Sequence, residues 1–154
     1  MKGFTLVEIL VVMVIVGITL ALIGLNLMTD DARVLRNEAQ RLALLLEQAR
    51  DEAVAGGEAI AWSAEGERYR FLRQSEEGKW VAWTNDELWR ERQFSSGVTL
   101  TTLRINRTAV PRGEQLTFSS AGLGVPFEIE LGLNAARIEI VGDAMGKLIL
   151  KEAG

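Results

Sequence analysis

The stretch FTLVEILVVMVIVGITLALIGLNLM, residues 4–28, decides the fold of this chain. Its only charged residue is Glu8. An α-helix of about 20 apolar residues is long enough to cross the hydrocarbon core of a bilayer. The run is apolar on every side, so a helix built from it has no polar face for water. We therefore expect a membrane-spanning segment over 4–28. A carboxylate in such a segment is costly and usually has a function, which makes Glu8 a candidate site residue.

A second helical pattern follows the apolar run. Small and apolar residues recur there at alternating spacings of four and three, which places them on one stripe of a helix: Leu35, Ala39, Leu42, Leu46, Ala49 and Ala53. Gly56-Gly57 is a stop signal. We predict one long helix, straight or bent, from about Thr5 to Ala55. Its amphipathic half, 29–57, is expected to pack on the rest of the chain through Leu35, Leu42 and Leu46. An intermolecular coiled-coil seam is the alternative use of this stripe.

From residue 58 the period changes to two, and turn signals become frequent. About eight short runs alternate as strands do: 59–62, 69–71, 80–83, 98–105, 116–118, 127–131, 137–140 and 147–150. This favours antiparallel meanders in two small sheets over 58–154. The predicted fold class is therefore α+β, with a long N-terminal helix packed on a domain of about eight short antiparallel strands.

Composition excludes several kinds of active site. The chain has no cysteine and no histidine, so disulfides, imidazole metal sites and His-based triads are absent. Without a histidine, Ser119 and Ser120 lack the base that a nucleophile needs. The acidic pairs Glu76-Glu77 and Asp86-Glu87 do not have the spacing of a calcium loop. We predict no enzyme activity, no metal and no cofactor.

Four tryptophans lie between residues 62 and 89. Tryptophan is enriched at protein interfaces, but core packing is the interpretation that we favour for this group. Trp89 lies in the polar stretch 84–96 and is predicted to be its most exposed member. Trp89 is therefore the candidate for a partner-binding surface.

The N-terminus carries a more specific signal. Met1-Lys2-Gly3 is a short basic leader, followed by Phe4-Thr5-Leu6-Val7-Glu8 and the apolar run. This arrangement resembles the type III signal of type IV pilins and type II secretion pseudopilins. The resemblance implies that a prepilin peptidase cuts the leader, 1–3, between Gly3 and Phe4 and methylates the new amine of Phe4. It also implies an assembly role for Glu8, because Phe4 and Glu8 are four residues apart and share a helix face.

The remainder of the chain is similar to the H-type minor pseudopilins of type II secretion systems, on EAIAW at 58–62, YRFL at 69–72, FSSAG at 118–122 and IEI at 138–140. The resemblance implies a structural subunit near the tip of a periplasmic pseudopilus that helps export folded proteins. The implied partners are other minor pseudopilins, the major pseudopilin, the prepilin peptidase, the inner membrane and exported proteins. The implied topology is single-pass in the inner membrane, with a cytoplasmic N-terminus and a periplasmic C-terminal domain.

Two alternatives remain open: a minor type IV pilin that acts in pilus assembly or DNA uptake, and a membrane-anchored periplasmic domain unrelated to fibres. Charge argues against nucleic acid, because the chain has a net charge of −4 and the region 112–154 carries four basic against six acidic side chains. Arg104, Arg107 and Arg112 are three arginines with no acidic residue between them, a stretch that we interpret as a solvated loop. We expect no nucleic-acid partner.

Overall fold

The computed structural model describes residues 6–83 and 86–152, except for the side chains of residues 22–29. One helix is followed by ten strands in chain order. The elements are α1 (Leu6–Gly56), β1 (Ile60–Glu65), β2 (Arg68–Gln74), β3 (Trp80–Ala82), β4 (Arg92–Gln93), β5 (Thr99–Ile105), β6 (Thr108–Ala109), β7 (Gln115–Phe118), β8 (Phe127–Leu133), β9 (Ala136–Gly142) and β10 (Leu148–Glu152).

The helix α1 is a single element of 51 residues, which confirms the predicted long helix. It ends at Gly56, and Gly57 has a φ of 70°, the left-handed conformation that commonly stops a helix. Asn134 donates a hydrogen bond to Asp31 at 2.8 Å, and Arg36 forms an ion pair with Glu152. These contacts tie α1 to the strands from residue 31 onward.

The first sheet has the order β3-β2-β1-β7, and β4 also pairs with β2. The hairpin between β1 and β2 pairs Glu65 with Arg68 across a two-residue turn. Gly66 occupies this turn with a φ of 60°, which a residue with a side chain rarely adopts. Both β1 and β7 lie against α1, so this sheet covers one side of the helix.

The second sheet has the order β10-β9-β8-β5-β6 and is antiparallel throughout. Strands β8, β9 and β10 contact α1. Along β8 and β9 the inward positions are fully buried and the outward ones half-buried, as the alternating sequence predicts. The chain enters this sheet with β5, returns to the first sheet with β7 and comes back with β8, so the two sheets are interlocked.

The α+β class and the two antiparallel sheets confirm the prediction, but the described residues form ten strands instead of about eight. The two additional strands, β4 and β6, are only two residues long, which is too short for an alternating pattern. Helix α1 and both sheets share one hydrophobic core that includes Leu42, Trp62 and Ile129. The predicted segments 29–57 and 58–154 are therefore packed together.

Candidate functional site

The first half of α1 carries large apolar side chains on its surface. Every residue from 6 to 21 is exposed. The exposed fraction of the large apolar side chains runs from 49% at Val11 to 82% at Leu6. The hydroxyl of Thr19 donates to the carbonyl of Ile15 at 2.8 Å, which satisfies a polar group in a stretch whose only charged residue is Glu8. A continuous apolar surface of this kind marks a region that contacts lipid or other protein chains.

The predicted site residues at the N-terminus lie at the edge of the described chain. Gly3 and Phe4, the predicted cleavage and methylation site, are outside the described residues. Glu8 lies in the first turn of α1 and is exposed. Within 6–83 and 86–152, we find no helix that is long and apolar enough to cross a membrane. The predicted membrane segment, 4–28, includes residues and side chains outside the described part.

The second half of α1 buries the stripe of small and apolar residues. Leu35, Leu42 and Leu46 are 1%, 0% and 1% exposed and contribute to the shared core. Ala39, Ala49 and Ala53 are fully buried, and their small side chains let the strands approach the helix backbone. Within this chain the stripe is covered by the strands of the two sheets. Leu44, on the other face of the helix, is 62% exposed.

A buried carboxylate lies in the same stripe. Glu38 is 2% exposed, and one of its oxygens accepts hydrogen bonds from the Ser95 backbone N–H at 3.2 Å and from the Ser95 hydroxyl at 2.5 Å. The other oxygen accepts from Arg41 at 2.7 Å. A buried charge is tolerated only when it is paired and hydrogen-bonded, and here both conditions hold. Glu38 therefore fastens α1 to the loop before β5.

Arg41 extends this polar contact to β4 and β2. It donates to the carbonyl of Gln93 at 3.3 Å. Tyr69, on β2, is 1% exposed and interacts electrostatically with Arg41. Burial raises the pKa of the Tyr69 hydroxyl above its ordinary value of 10.0, while the charges of Arg41 and Arg92 lower it and that of Glu38 raises it. The tyrosine is therefore neutral in the folded chain at physiological pH.

The spacing of the sequence indicates that Glu38 is buried, although the stripe was defined by its small and apolar residues alone. Position 38 is three residues after Leu35 and four before Leu42, so its helical spacing places it on the same stripe as Ala39. A charged residue at such a position predicts a buried, partnered carboxylate. Its partner Ser95 carried no comparable signal, because the contact joins positions far apart in the sequence.

The prediction of an exposed Trp89 is wrong. Trp89 is 4% exposed, with ring centroids 5.1 Å from Phe71 and 6.0 Å from Trp83. Asp86 accounts for this placement, because its carboxylate accepts the backbone N–H groups of Leu88 and Trp89 at 2.8 and 3.1 Å. The resulting turn directs the indole ring of Trp89 into the hydrophobic core. Trp89 contributes to the core and presents no surface to a partner.

One of the three candidate arginines, Arg104, is paired with carboxylates of the second sheet. Arg104 lies 3.3 Å from Glu128 and 3.6 Å from Glu139, its neighbours on β8 and β9. Arg107 occupies the turn after β5 and is exposed, as is Arg112. The three arginines therefore do not form one uncompensated basic face. This placement gives a phosphate backbone little to bind.

Comparisons with known proteins agree with a fold that is built on one long helix. Residues 38–146, more than half of the chain, match the family described as type II transport protein GspH. Residues 1–24 match the prokaryotic N-terminal methylation motif. Type II secretion system protein H of Pseudomonas aeruginosa strain PAO1 is 36% identical over 87 residues, which are 55% of this chain. The match spans about half the length of that relative, 51%.

Solved structures show the same fold. The minor pseudopilin EpsH from the type II secretion system of Vibrio cholerae matches with a TM-score of 0.66 at 19% identity, over 80% of this chain and 96% of that one. The type IV minor pilin FimU of Pseudomonas aeruginosa matches with a TM-score of 0.55 at 20% identity, over 76% of this chain and 87% of that one. The family match confirms the resemblance noted in the sequence: the chain belongs to the type II transport protein GspH family.

Proposed function

We propose that this chain is a minor pseudopilin of a type II secretion system. In this role it is a structural subunit at or near the tip of a periplasmic pseudopilus and helps folded proteins cross the outer membrane. The observation that carries the proposal is the division of α1. Its first half exposes apolar side chains to other molecules, and its second half is locked into the core of the same chain. One helix can therefore join an assembly while it holds a folded domain.

The membrane and processing steps belong to the same proposal. The leader 1–3 is removed by a prepilin peptidase between Gly3 and Phe4, and the new amine of Phe4 is methylated. The match of residues 1–24 to the methylation motif supports this step. Residues 4–28 then anchor the subunit in the inner membrane, with the strands in the periplasm, until the subunit enters the pseudopilus.

Glu8 is the proposed assembly residue. After cleavage, Phe4 carries a free amine, and its protonated form attracts a carboxylate in an apolar surrounding. Pairing between Glu8 of one subunit and the amine of a neighbour sets the stagger between their helices. The proposed partners are other minor pseudopilins and the major pseudopilin, with exported proteins as cargo.

A minor type IV pilin is the second candidate, and the fold match to FimU is compatible with it. The match to EpsH has the higher TM-score, 0.66 against 0.55, and the family match points to type II transport. The fold alone does not distinguish the two assemblies, because both use a pilin-like subunit with an N-terminal helix.

The deciding experiment is deletion of the gene in its own bacterium, followed by complementation with the full chain. We expect enzymes that the bacterium normally secretes to accumulate in the periplasm of the deletion strain and to return to the medium on complementation. Loss of pilus-dependent motility or DNA uptake with normal secretion would indicate that the chain is a minor type IV pilin.

Intact-mass measurement of the membrane-extracted protein is expected to show Phe4 as its first residue. Retention of residues 1–3 in cells with an active peptidase would contradict the processing step.

A further inference from the structure

Arginines from separate parts of the chain line one open depression of about 470 Å³. Arg41 comes from α1, Arg68 from β2, Arg90 from the turn before β4 and Arg92 from β4 itself. An adjoining depression of about 440 Å³ shares Arg68 and Glu91 and adds Arg70. We refer to the combined surface, lined by Arg41, Arg68, Arg70, Arg90, Arg92 and Glu91, as the arginine cleft.

The charge of the arginine cleft is opposite to that of the chain. Five arginines line the two depressions together with Glu65 and Glu91. Two of these arginines, Arg41 and Arg90, also pair with Glu38 and Glu87, so the local excess is one positive charge. The whole chain has a net charge of −4. A local excess of positive charge on an acidic protein raises the local concentration of anionic partners and steers their approach.

Several guanidinium groups of the arginine cleft are held in place by other parts of the fold. Arg41 is fixed by the buried carboxylate of Glu38 at 2.7 Å. Arg92 donates through one terminal nitrogen to the carbonyls of Glu87 at 2.8 Å and Leu88 at 3.4 Å. The Nε of Arg92 is buried and has no hydrogen-bond partner among the described residues. The cleft therefore contains positive groups whose positions are fixed by the fold.

We propose that the arginine cleft binds the carboxylates of an acidic segment of a second protein. The planar guanidinium group matches a carboxylate in shape and donates two parallel hydrogen bonds to it. The arginines of the cleft already pair with carboxylates of the same chain, Arg68 with Glu91 at 3.3 Å and Arg90 with Glu87 at 3.5 Å. The Glu87 side chain is 98% exposed, so a partner's carboxylate displaces it at little cost.

Two other anionic partners fit less well. The depressions have the size of a few side chains, whereas a DNA duplex needs an extended basic surface. A phospholipid headgroup would have to reach Arg41, which lies about 20 Å along α1 from residue 28 at about 1.5 Å per residue. The carboxylate-bearing segment remains the partner that the position and the size of the cleft favour.

The test uses the full chain in uncharged maltoside micelles and follows the arginine Nε–H signals by NMR. The probe is a terminally blocked peptide of alternating glutamate and glycine, and its control is the same peptide with glutamine for glutamate. We expect a saturable shift of the Arg92 signal with the acidic peptide alone. Arg68→Gln and Arg70→Gln are each expected to weaken binding about two- to fivefold. Neither substitution touches the Arg41–Glu38 contact, so both variants keep the fold.

Arg107→Gln is the matched control, because it removes the same charge from the exposed turn after β5. An equal loss of affinity in Arg107→Gln would reduce the effect to net charge and overturn the proposal. It is also overturned if the acidic peptide gives no saturable shift or if the glutamine peptide binds as well. A stronger response to inorganic phosphate, to a short DNA duplex or to phosphatidylglycerol in the micelles would assign the cleft to phosphate groups instead. The assay needs no fibre, so its outcome is independent of the role in secretion.

Discussion

The carboxylate of Glu38 accepts two hydrogen bonds from Ser95, one from its backbone N–H at 3.2 Å and one from its hydroxyl at 2.5 Å. The two residues are 57 positions apart, one in the middle of α1 and the other before β5. Glu38 is 2% exposed, so water does not weaken these hydrogen bonds by screening or by competing for them. The contact fixes the loop that carries Trp89, Arg92 and Phe94 against the helix.

Ser95→Ala is expected to destabilise the folded chain by about 1.5–3 kcal/mol, because it removes one hydrogen bond to a buried charge. Ser96→Ala, at an exposed neighbouring position, is the control and is expected to change the stability by less than about 0.5 kcal/mol. Thermal unfolding of the full chain in micelles, followed by near-ultraviolet circular dichroism, measures both. Equal stabilities of the two variants would show that the hydrogen bond from the Ser95 hydroxyl to Glu38 does not stabilise the fold.

A fragment that starts at Thr29 is expected to be a folded, water-soluble monomer, since it lacks the exposed apolar half of α1. Leu42→Asp in this fragment should cost several kcal/mol, because it buries an unpaired charge. Leu44→Asp, on the exposed face of the same helix turn, should be nearly neutral. Denaturant unfolding followed by tryptophan fluorescence checks both changes. If Leu42→Asp altered self-association but not unfolding, the stripe would be an intermolecular seam.

Tyr69 makes the stability depend on pH at the alkaline end. Burial raises the pKa of its hydroxyl in the folded chain, so the folded state holds the proton more tightly than the unfolded state does. The resulting stability is fully present below the ordinary pKa of 10.0 and is lost as the pH rises through the folded value. Tyr69→Phe should remove this loss, so that parent and variant diverge above pH 10.0. Because Tyr69 is the only tyrosine, its absorbance titration reports the group directly. A titration midpoint at or below 10.0 would contradict the prediction.

Glu8→Val is expected to leave membrane insertion intact but to reduce incorporation into fibres, because it removes the carboxylate proposed to pair with the Phe4 amine. Thr19→Val is the control: it makes the same half of α1 more apolar without removing a charge. The measurement compares sheared fibre fractions with membrane fractions by immunoblotting at native expression levels. Normal incorporation of Glu8→Val would show that the charge pair is dispensable.

The full chain is expected to show no meaningful binding to duplex DNA at physiological salt. Arg104 is engaged by Glu128 and Glu139, and this leaves Arg107 and Arg112 as an isolated pair of charges. An electrophoretic shift assay at micromolar protein tests this. A shift that disappears when Arg104, Arg107 and Arg112 are changed to Ala would favour DNA uptake over secretion.

Periodicity predicted the fold well because each long element repeats its pattern several times. The stripe from Leu35 to Ala53 and the alternation along β8 and β9 were sufficient to separate the helix from the sheets. The signal at Gly3, Phe4 and Glu8 pointed to the family that the comparisons then showed. Local patterns of this kind are set by neighbours in the sequence, so the sequence alone reveals them.

The features that escaped prediction are two local turns without a clear signal in the sequence and one surface assembled from distant segments. The hairpin of β5 and β6 turns at Asn106 and Arg107, which both have positive φ, and without a glycine this turn looked like an ordinary loop. Trp89 stands among polar residues, yet the hydrogen bonds of Asp86 turn it inward. The arginine cleft collects side chains from α1, β2 and β4, and no stretch of sequence contains that combination.

The continuity of α1 has a mechanical consequence. A helix of 51 residues is about 77 Å long, and it runs without interruption from the exposed apolar half into the core. A force that pulls residues 6–21 along the helix axis acts as a shear force between the stripe from Leu35 to Ala53 and the strands that cover it. Under shear, the contacts of all the buried side chains in the stripe resist the force at the same time. The Glu38–Ser95 and Arg36–Glu152 contacts lie along the same line of force. Helix α1 and its buried stripe are thus suited to transmit tension or compression to the domain that the helix carries.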